Sequence, residues 1–176
     1  VICEINSDDP EYPIKPKAVS AISTTKWPFR ANYIVKVMQT FPMQFDLYGF
    51  GWEGYKQQLM QFCNYKGPLP RNSKKEGLLD YKFSIAIENA SHRNYFTEKI
   101  ADSILFWTIP LYWGCTNISD HFPENSYRLL DLNDPIQIKE VLERPIEVKD
   151  ILALTEAREL ILNKYRIWPT IKNILS

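Results

Sequence analysis

The sequence predicts an α/β domain, a parallel sheet with helices on both faces. Three observations carry this. Short apolar runs rich in aliphatic and aromatic residues recur at 17–23, 45–48, 83–87 and 109–113. Segments with helical spacing stand after the first and third of these, opening near Phe29 and Thr97. The connections are long enough for the crossovers that parallel strands require.

The elements follow in order. Residues 1–17 hold Pro10, Pro13 and Pro16 among several acids, and read as an extended lead-in. Lys17 to Ser23 reads as a strand. Pro28 then suits the first turn of a helix, where Phe29, Tyr33 and Val37, with Ile34 and Phe41 on the flank, follow helical spacing. Phe45 to Tyr48 is a second strand, closed by Gly49-Phe50-Gly51. Residues 52–75 show no clear pattern, and Gly67-Pro68-Leu69-Pro70 must interrupt any regular element. Lys74 to Asp80 suits one or two helical turns. Phe83 to Ile87 is a third strand, Thr97 to Trp107 a helix with Ile100, Ile104 and Trp107 on one face, and Ile109 to Trp113 a fourth strand. Tyr127 to Leu132 reads as a fifth strand. Pro135 to Glu143 and Val148 to Tyr165 read as helices, with a last turn after Pro169. No internal boundary or repeat divides the chain, so 1–176 is expected to be one domain whose 145–176 segment is helical.

Composition narrows the function. The 176 residues are 45% hydrophobic and 24% charged, an ordinary globular balance. A chain of this length buries about 70% of the surface it exposes when unfolded. Formal net charge is zero, which argues against a general nucleic-acid binder. The charge is nonetheless patterned. Lys15, Lys17, Lys26, Arg30 and Lys36 lie in one acid-free stretch, and Lys56, Lys66, Arg71, Lys74 and Lys75 in another. Such stretches line an anion site or form a solvated face. Cys3, Cys63 and Cys115 are an odd set without CxxC spacing, neither a disulfide framework nor a zinc site. Cys115 is expected to be a buried small residue. His92 and His121 lack metal-ligand spacing. No run approaches the roughly 20 apolar residues of a membrane span, and no signal peptide is visible. The chain opens on Val1 and reads as an excised domain or processed fragment.

The chemistry concentrates between residues 81 and 115. The apolar run ending at Ile87 is followed by Glu88-Asn89, and a helix then opens on Glu98-Lys99. In open α/β sheets, ligands bind where strands hand over to helices. The first turn of a helix presents unpaired N–H groups to an anion, and Lys99 adds full charge. Glu98 either accepts hydrogen bonds from ligand hydroxyls or is an acid placed favourably on the helix dipole. Asn89 binds a ligand or caps a turn. Tyr95 stacks on a base, bonds a phosphate or fills the core. Arg30, in the first turn after the first strand, forks onto a phosphate or is a surface arginine. Two glycosylation sequons, Asn89-Ala90-Ser91 and Asn117-Ile118-Ser119, are present.

Residues 81–132 resemble the fucosyltransferases of glycosyltransferase family 10. The block Tyr81-Lys82-Phe83 through Glu88-Asn89, then Tyr95-Phe96-Thr97-Glu98-Lys99, is similar to the family's motif YKF…EN…Y-x-TEK. Thr108-Ile109-Pro110-Leu111-Tyr112-Trp113-Gly114, then Phe122-Pro123 and Ser126-Tyr127, fit its continuation. Ala21-Ile22-Ser23, Arg30 and Asp46-Leu47-Tyr48-Gly49-Phe50-Gly51 extend the likeness upstream, so that it covers about residues 17–132. The chain departs from the family in three places. Arg30 follows Lys26-Trp27-Pro28-Phe29 without a preceding Gly-His pair, residues 52–75 have no counterpart, and a cysteine-rich C-terminus is absent.

The resemblance implies a Rossmann-like fold, the C-terminal, donor-binding domain of a GT-B enzyme. It implies inverting transfer of L-fucose from GDP-β-L-fucose to an N-acetylglucosamine-containing glycan acceptor, most often α-1,3. Carried over by position, Arg30 and Lys99 neutralise the diphosphate, Glu98 binds donor hydroxyls, and Asn89 and Tyr95 complete the nucleotide pocket. No cofactor is required, a divalent metal being at most stimulatory. The missing N-terminal domain is the partner that carries the general base. Tyr112-Trp113-Gly114 reads more like the bacterial members, which implies a cytoplasmic enzyme, membrane-associated at most peripherally; a eukaryotic parent would work in the Golgi lumen. The competing expectations are a non-catalytic nucleotide-sugar-binding domain and a structural α/β domain.

Overall fold

The computed structural model describes residues 12–40, 45–55, 62–70 and 73–165. In chain order the regular elements are β1 (Lys17–Ile22), α1 (Pro28–Thr40), β2 (Phe45–Tyr48), β3 (Asn64–Gly67), β4 (Tyr81–Ile87), α2 (Glu98–Leu105), β5 (Ile109–Trp113), β6 (Arg128–Leu129), α3 (Ile138–Glu143) and α4 (Val148–Leu160). The strands form one sheet in the order β3-β2-β1-β4-β5-β6, and every pairing is parallel. β1 sits between β2 and β4, with Val19 opposite Phe45 on one side and Phe83 on the other. This is the doubly wound arrangement. The β1–β2 and β4–β5 connections run in opposite directions across the sheet. Right-handed crossovers therefore place α1 on one face and α2 on the other.

A parallel sheet covered on both faces needs strands that are apolar throughout. The central strands largely meet this: six of the seven β4 residues are buried, as are Ala21, Phe45, Leu47, Leu111 and Tyr112. α1 adds Tyr33, Ile34, Val37 and Met38, and α2 adds Ile100 and Ile104.

Several boundaries differ from those read in the sequence. β3 was hidden in the unreadable 52–75 segment. It is a four-residue edge strand, Asn-Tyr-Lys-Gly, with alternately exposed residues, and an edge needs no continuous apolar run. β6 is two residues long rather than spanning Tyr127 to Leu132, because Asp131 Oδ1 accepts from Asn133 N at 2.8 Å and turns the chain. Lys74 to Asp80 contains a single tight turn, Lys75–Gly77. The helix read from Pro135 starts as a tight turn and becomes α3 at Ile138, and the helix read to Tyr165 ends its α geometry at Leu160 and continues as a π turn over Ile161–Tyr165. Phe41, Cys3 and the turn after Pro169 lie outside the described residues.

Two cations organise the periphery. No regular element forms at 12–16, yet Tyr12 packs edge-on against Trp107. Lys15 is 4% exposed and its Nζ donates to Phe106 O at 2.6 Å and to Leu79 O. Burial pushes that ammonium down to about 8. Arg128, also buried, donates to the carbonyls of Val141, Arg144 and Pro145 and faces Asp150 at 3.8 Å, tying α3 and α4 to the sheet.

Candidate functional site

The strand order reverses between β1 and β4, so the helices that follow them diverge and leave a crevice at the sheet's C-terminal edge. A cavity of about 530 Å³ opens there, walled by the ends of β1, β2 and β4, the first turns of α1 and α2, and the loop before β4. Gly49 lets the ends of β1 and β2 close up. Its φ is +134°, and a Cβ there would lie 1.7 Å from Ser23 O.

Arg30 comes from the first turn of α1, where Pro28 starts the helix. It is 7% exposed. Its Nη1 donates to Ile87 O at 3.3 Å and to Asn89 Oδ1 at 3.0 Å, which pins the guanidinium at the end of β4. Its buried Nε has no hydrogen-bond partner among the described residues. Burial lowers the Arg30 pKa, while the nearby Glu88 and Glu98 carboxylates favour its charged form.

α2 supplies the second cation. Thr97 is its N-cap, accepting from Lys99 N through Oγ1. Lys99 Nζ meets Thr97 Oγ1 at 3.0 Å, Glu88 Oε2 at 3.2 Å and Glu98 Oε1 at 3.4 Å. Lys74, from the loop before β4, forms a third cationic point, 2.5 Å from Asp102 Oδ2 and 3.7 Å from Glu98 Oε1. Burial works to raise the Glu98 pKa. The charges of Lys99 and Lys74 outweigh it and hold this carboxyl below its ordinary range.

The five residues singled out in the sequence therefore divide. Arg30, Glu98 and Lys99 wall the cavity. Asn89 stands behind Arg30 with its Oδ1 engaged, and Tyr95 packs edge-on to His92 at 6.4 Å, off the cavity wall. Of the two basic stretches, Arg30 and Lys74 reach the cavity, whereas Lys17 and Lys66 each lie 4.0 Å from Asp46. Of the two sequon asparagines, Asn89 accepts from Arg30 through Oδ1, and Asn117 Nδ2 donates to Asn94 and Asp120. Cys63 and Cys115 are free and buried. No cluster of three or more His, Cys, Asp or Glu placed to hold a metal ion occurs among the described residues. No helix among them is long and apolar enough to cross a membrane.

Sequence reasoning missed Glu88 as a working part of the site. It is 0% exposed. Its Oε1 accepts from Thr97 N at 2.8 Å, and its Oε2 accepts from Thr97 Oγ1 at 2.7 Å and from Lys99. The available signal was alternation: Ser84, Ala86 and Glu88 share one face of β4, small residues leading to an acid.

The chain matches known proteins in sequence and in fold. Residues 14–149 match the family described as glycosyltransferase family 10 (fucosyltransferase), C-terminal part. The α-(1,3)-fucosyltransferase FucT of Helicobacter pylori is 40% identical over 55 residues, 31% of this chain and 12% of that protein. α-(1,3)-Fucosyltransferase B of Drosophila melanogaster is 29% identical over 124 residues, 69% of this chain and 28% of that protein. The chain thus spans well under a third of the length of either relative. Among solved structures, an α1,3-fucosyltransferase with GDP-fucose superposes with a TM-score of 0.57 at 23% identity, over 85% of this chain and 40% of that one. The catalytic domain of a cholesterol-α-glucosyltransferase from Helicobacter pylori gives 0.59 at 15% identity, over 86% of this chain and all of that one. These likenesses establish the fold, a Rossmann-like domain of the GT-B type. With the sequence match running from the lead-in through β6 to the start of α4, the chain belongs to glycosyltransferase family 10, the fucosyltransferases, as their C-terminal domain.

Proposed function

We propose that this chain is the donor half of an inverting fucosyltransferase and that the cavity between β1 and β4 takes GDP-β-L-fucose. The carrying observation is the convergence of Arg30, Lys74 and Lys99 on one wall-to-wall crevice at the strand-order reversal. The diphosphate lies against these cations, and Glu98 accepts from fucose hydroxyls. In the reaction the bond from fucose C1 to the β-phosphate oxygen breaks and its electron pair leaves with GDP. A hydroxyl oxygen of an N-acetylglucosamine-containing glycan attacks C1 from the opposite face, most often through the 3-hydroxyl. Fixed cations at the phosphate favour this charge separation, the role an oxyanion hole plays in acyl transfer.

The attacking hydroxyl must lose a proton to a general base. Of the carboxylates at the cavity, Glu88 and Glu98 engage Lys99, and Asp102 engages Lys74. We assign the base, as the family resemblance implies, to the N-terminal domain of the parent enzyme. Calorimetry of the chain with GDP, GDP-fucose and UDP tests the reading. Micromolar binding of both guanine nucleotides, weaker UDP binding and loss in Lys99→Ala are expected. A folded chain that ignores GDP overturns it. Fucose transfer by the parent to N-acetyllactosamine-type acceptors tests the catalytic step, and its absence with GDP binding intact would leave a nucleotide-sugar-binding domain.

A further inference from the structure

We propose that Glu88 is the positioning residue of the donor site, a buried carboxylate that sets Lys99 and the first turn of α2 for the diphosphate; this rests on the nucleotide reading above. A lysine ammonium has three N–H donors and no acceptor. In Lys99 they face three oxygens of different standing. Glu88 Oε2 is on a wholly buried side chain, and Thr97 Oγ1 is on the N-cap that Glu88 itself holds. Glu98 Oε1 is on a side chain 58% exposed, at the longest of the three distances, 3.4 Å. Two donors are therefore fixed by the protein, and the third is the one a phosphate oxygen can take over.

Glu88 is itself held from behind. It extends directly from β4, and its backbone N donates to Trp113 O at 2.9 Å. Gly114 packs on its side chain so closely that a Cβ there would sit 2.4 Å from Glu88 Cγ. Its two oxygens serve different parts. Oε1 receives the Thr97 backbone N–H, and Oε2 receives Thr97 Oγ1 and Lys99 Nζ. A glutamine cannot reproduce this. Its amide has one acceptor oxygen, so an NH₂ must face either the Thr97 N–H or the Lys99 ammonium, donor against donor. The shape is kept and the arrangement is lost.

The test is a double-mutant cycle on the 176-residue chain, with GDP as the probe, titrated into the millimolar range. Glu88→Gln is expected to weaken GDP binding roughly tenfold or more, the order of a lost hydrogen bond to a charged group. If Glu88 acts through Lys99, the double variant binds GDP no more weakly than Lys99→Ala alone. Additive losses overturn the proposal, as does wild-type affinity in Glu88→Gln. A residue that only stabilised the fold would weaken GDP binding equally in both backgrounds. Should Glu88→Gln fail to fold, or Lys99→Ala leave no measurable binding, Thr97→Val and Thr97→Ser decide. Loss in the valine variant with recovery in the serine variant supports the proposal, and any other ranking overturns it. A wild-type chain that does not bind GDP removes the nucleotide reading and this inference together. Failure of the cycle with wild-type binding intact removes the inference alone.

Discussion

Glu88 Oε2 lies 3.2 Å from Lys99 Nζ, with the Glu88 side chain wholly buried and the Lys99 side chain one-fifth exposed. The pair joins the end of β4 to the first turn of α2 across nine intervening loop residues, 89–97. An uncompensated buried charge costs several kcal/mol, so each member requires the other or a substitute.

Gly114→Ala probes this pair from the far side. The added Cβ would meet Glu88 Cγ at 2.4 Å and Cβ at 2.7 Å. Overpacking of this kind costs about 1–3 kcal/mol. A lowered Tm together with weaker GDP binding is expected, and an unchanged Tm would contradict the tight packing.

Arg30→Lys tests the other cation. Lysine keeps the charge but is shorter and lacks the guanidinium whose Nη1 donates to both Ile87 O and Asn89 Oδ1. GDP affinity is expected to fall about tenfold, the order of one charge-assisted hydrogen bond. Asn89→Ala should reproduce part of that loss, since Asn89 acts through Arg30. Isothermal titration of both variants checks this, and equal affinity in all three proteins would refute it.

Arg128→Met separates stability from site. Arg128 holds three carbonyls and faces the buried Asp150, on β6 two strands from β4 and outside the crevice wall. Breaking a buried pair on one side costs about 3–5 kcal/mol. Denaturant unfolding should show that loss, while the folded fraction retains wild-type GDP affinity. A shifted affinity would tie α3 and α4 to the site.

Lys15 predicts a pH dependence. Its pKa falls from 10.5 to about 8 on folding. Between these values the unfolded chain holds more protons than the native one, so stability rises with pH. Below pH 8 both states are protonated and the gain is absent. Cys63, pushed up to about 11 from 9.0, and the buried Tyr33, Tyr81 and Tyr112 act oppositely, since their unfolded forms lose protons first as pH rises. The difference between the wild-type chain and Lys15→Met isolates the lysine. That difference should grow by on the order of 2 kcal/mol from pH 7.5 to 10. A flat difference would show that Lys15 does not change its pKa on folding.

The sequence by itself determined the layers of this protein. The runs around Val19, Phe45, Ile85 and Leu111 are mostly apolar, broken only by residues such as Ser20, Asp46 and Ser84, because strands covered on both faces tend to be, and that signal survives without coordinates. The motif from Tyr81 to Lys99 pointed to the family and directed attention to Glu98 and Lys99, and the likeness upstream of it to Arg30, all of which reach the same cavity. Tertiary structure alone decided the rest. The edge strand Asn64–Gly67 is set by pairing with β2, not by its own composition. Lys74 joins the site because a loop of no regular pattern folds over the crevice. Glu88 differs from an ordinary strand-end acid only through Thr97, Lys99 and Gly114, residues 9 to 26 positions away in sequence. Local spacing reports which face a side chain takes. Burial and hydrogen-bond partners are properties of the packed whole, and they make this strand-end acid the buried partner of Thr97 and Lys99.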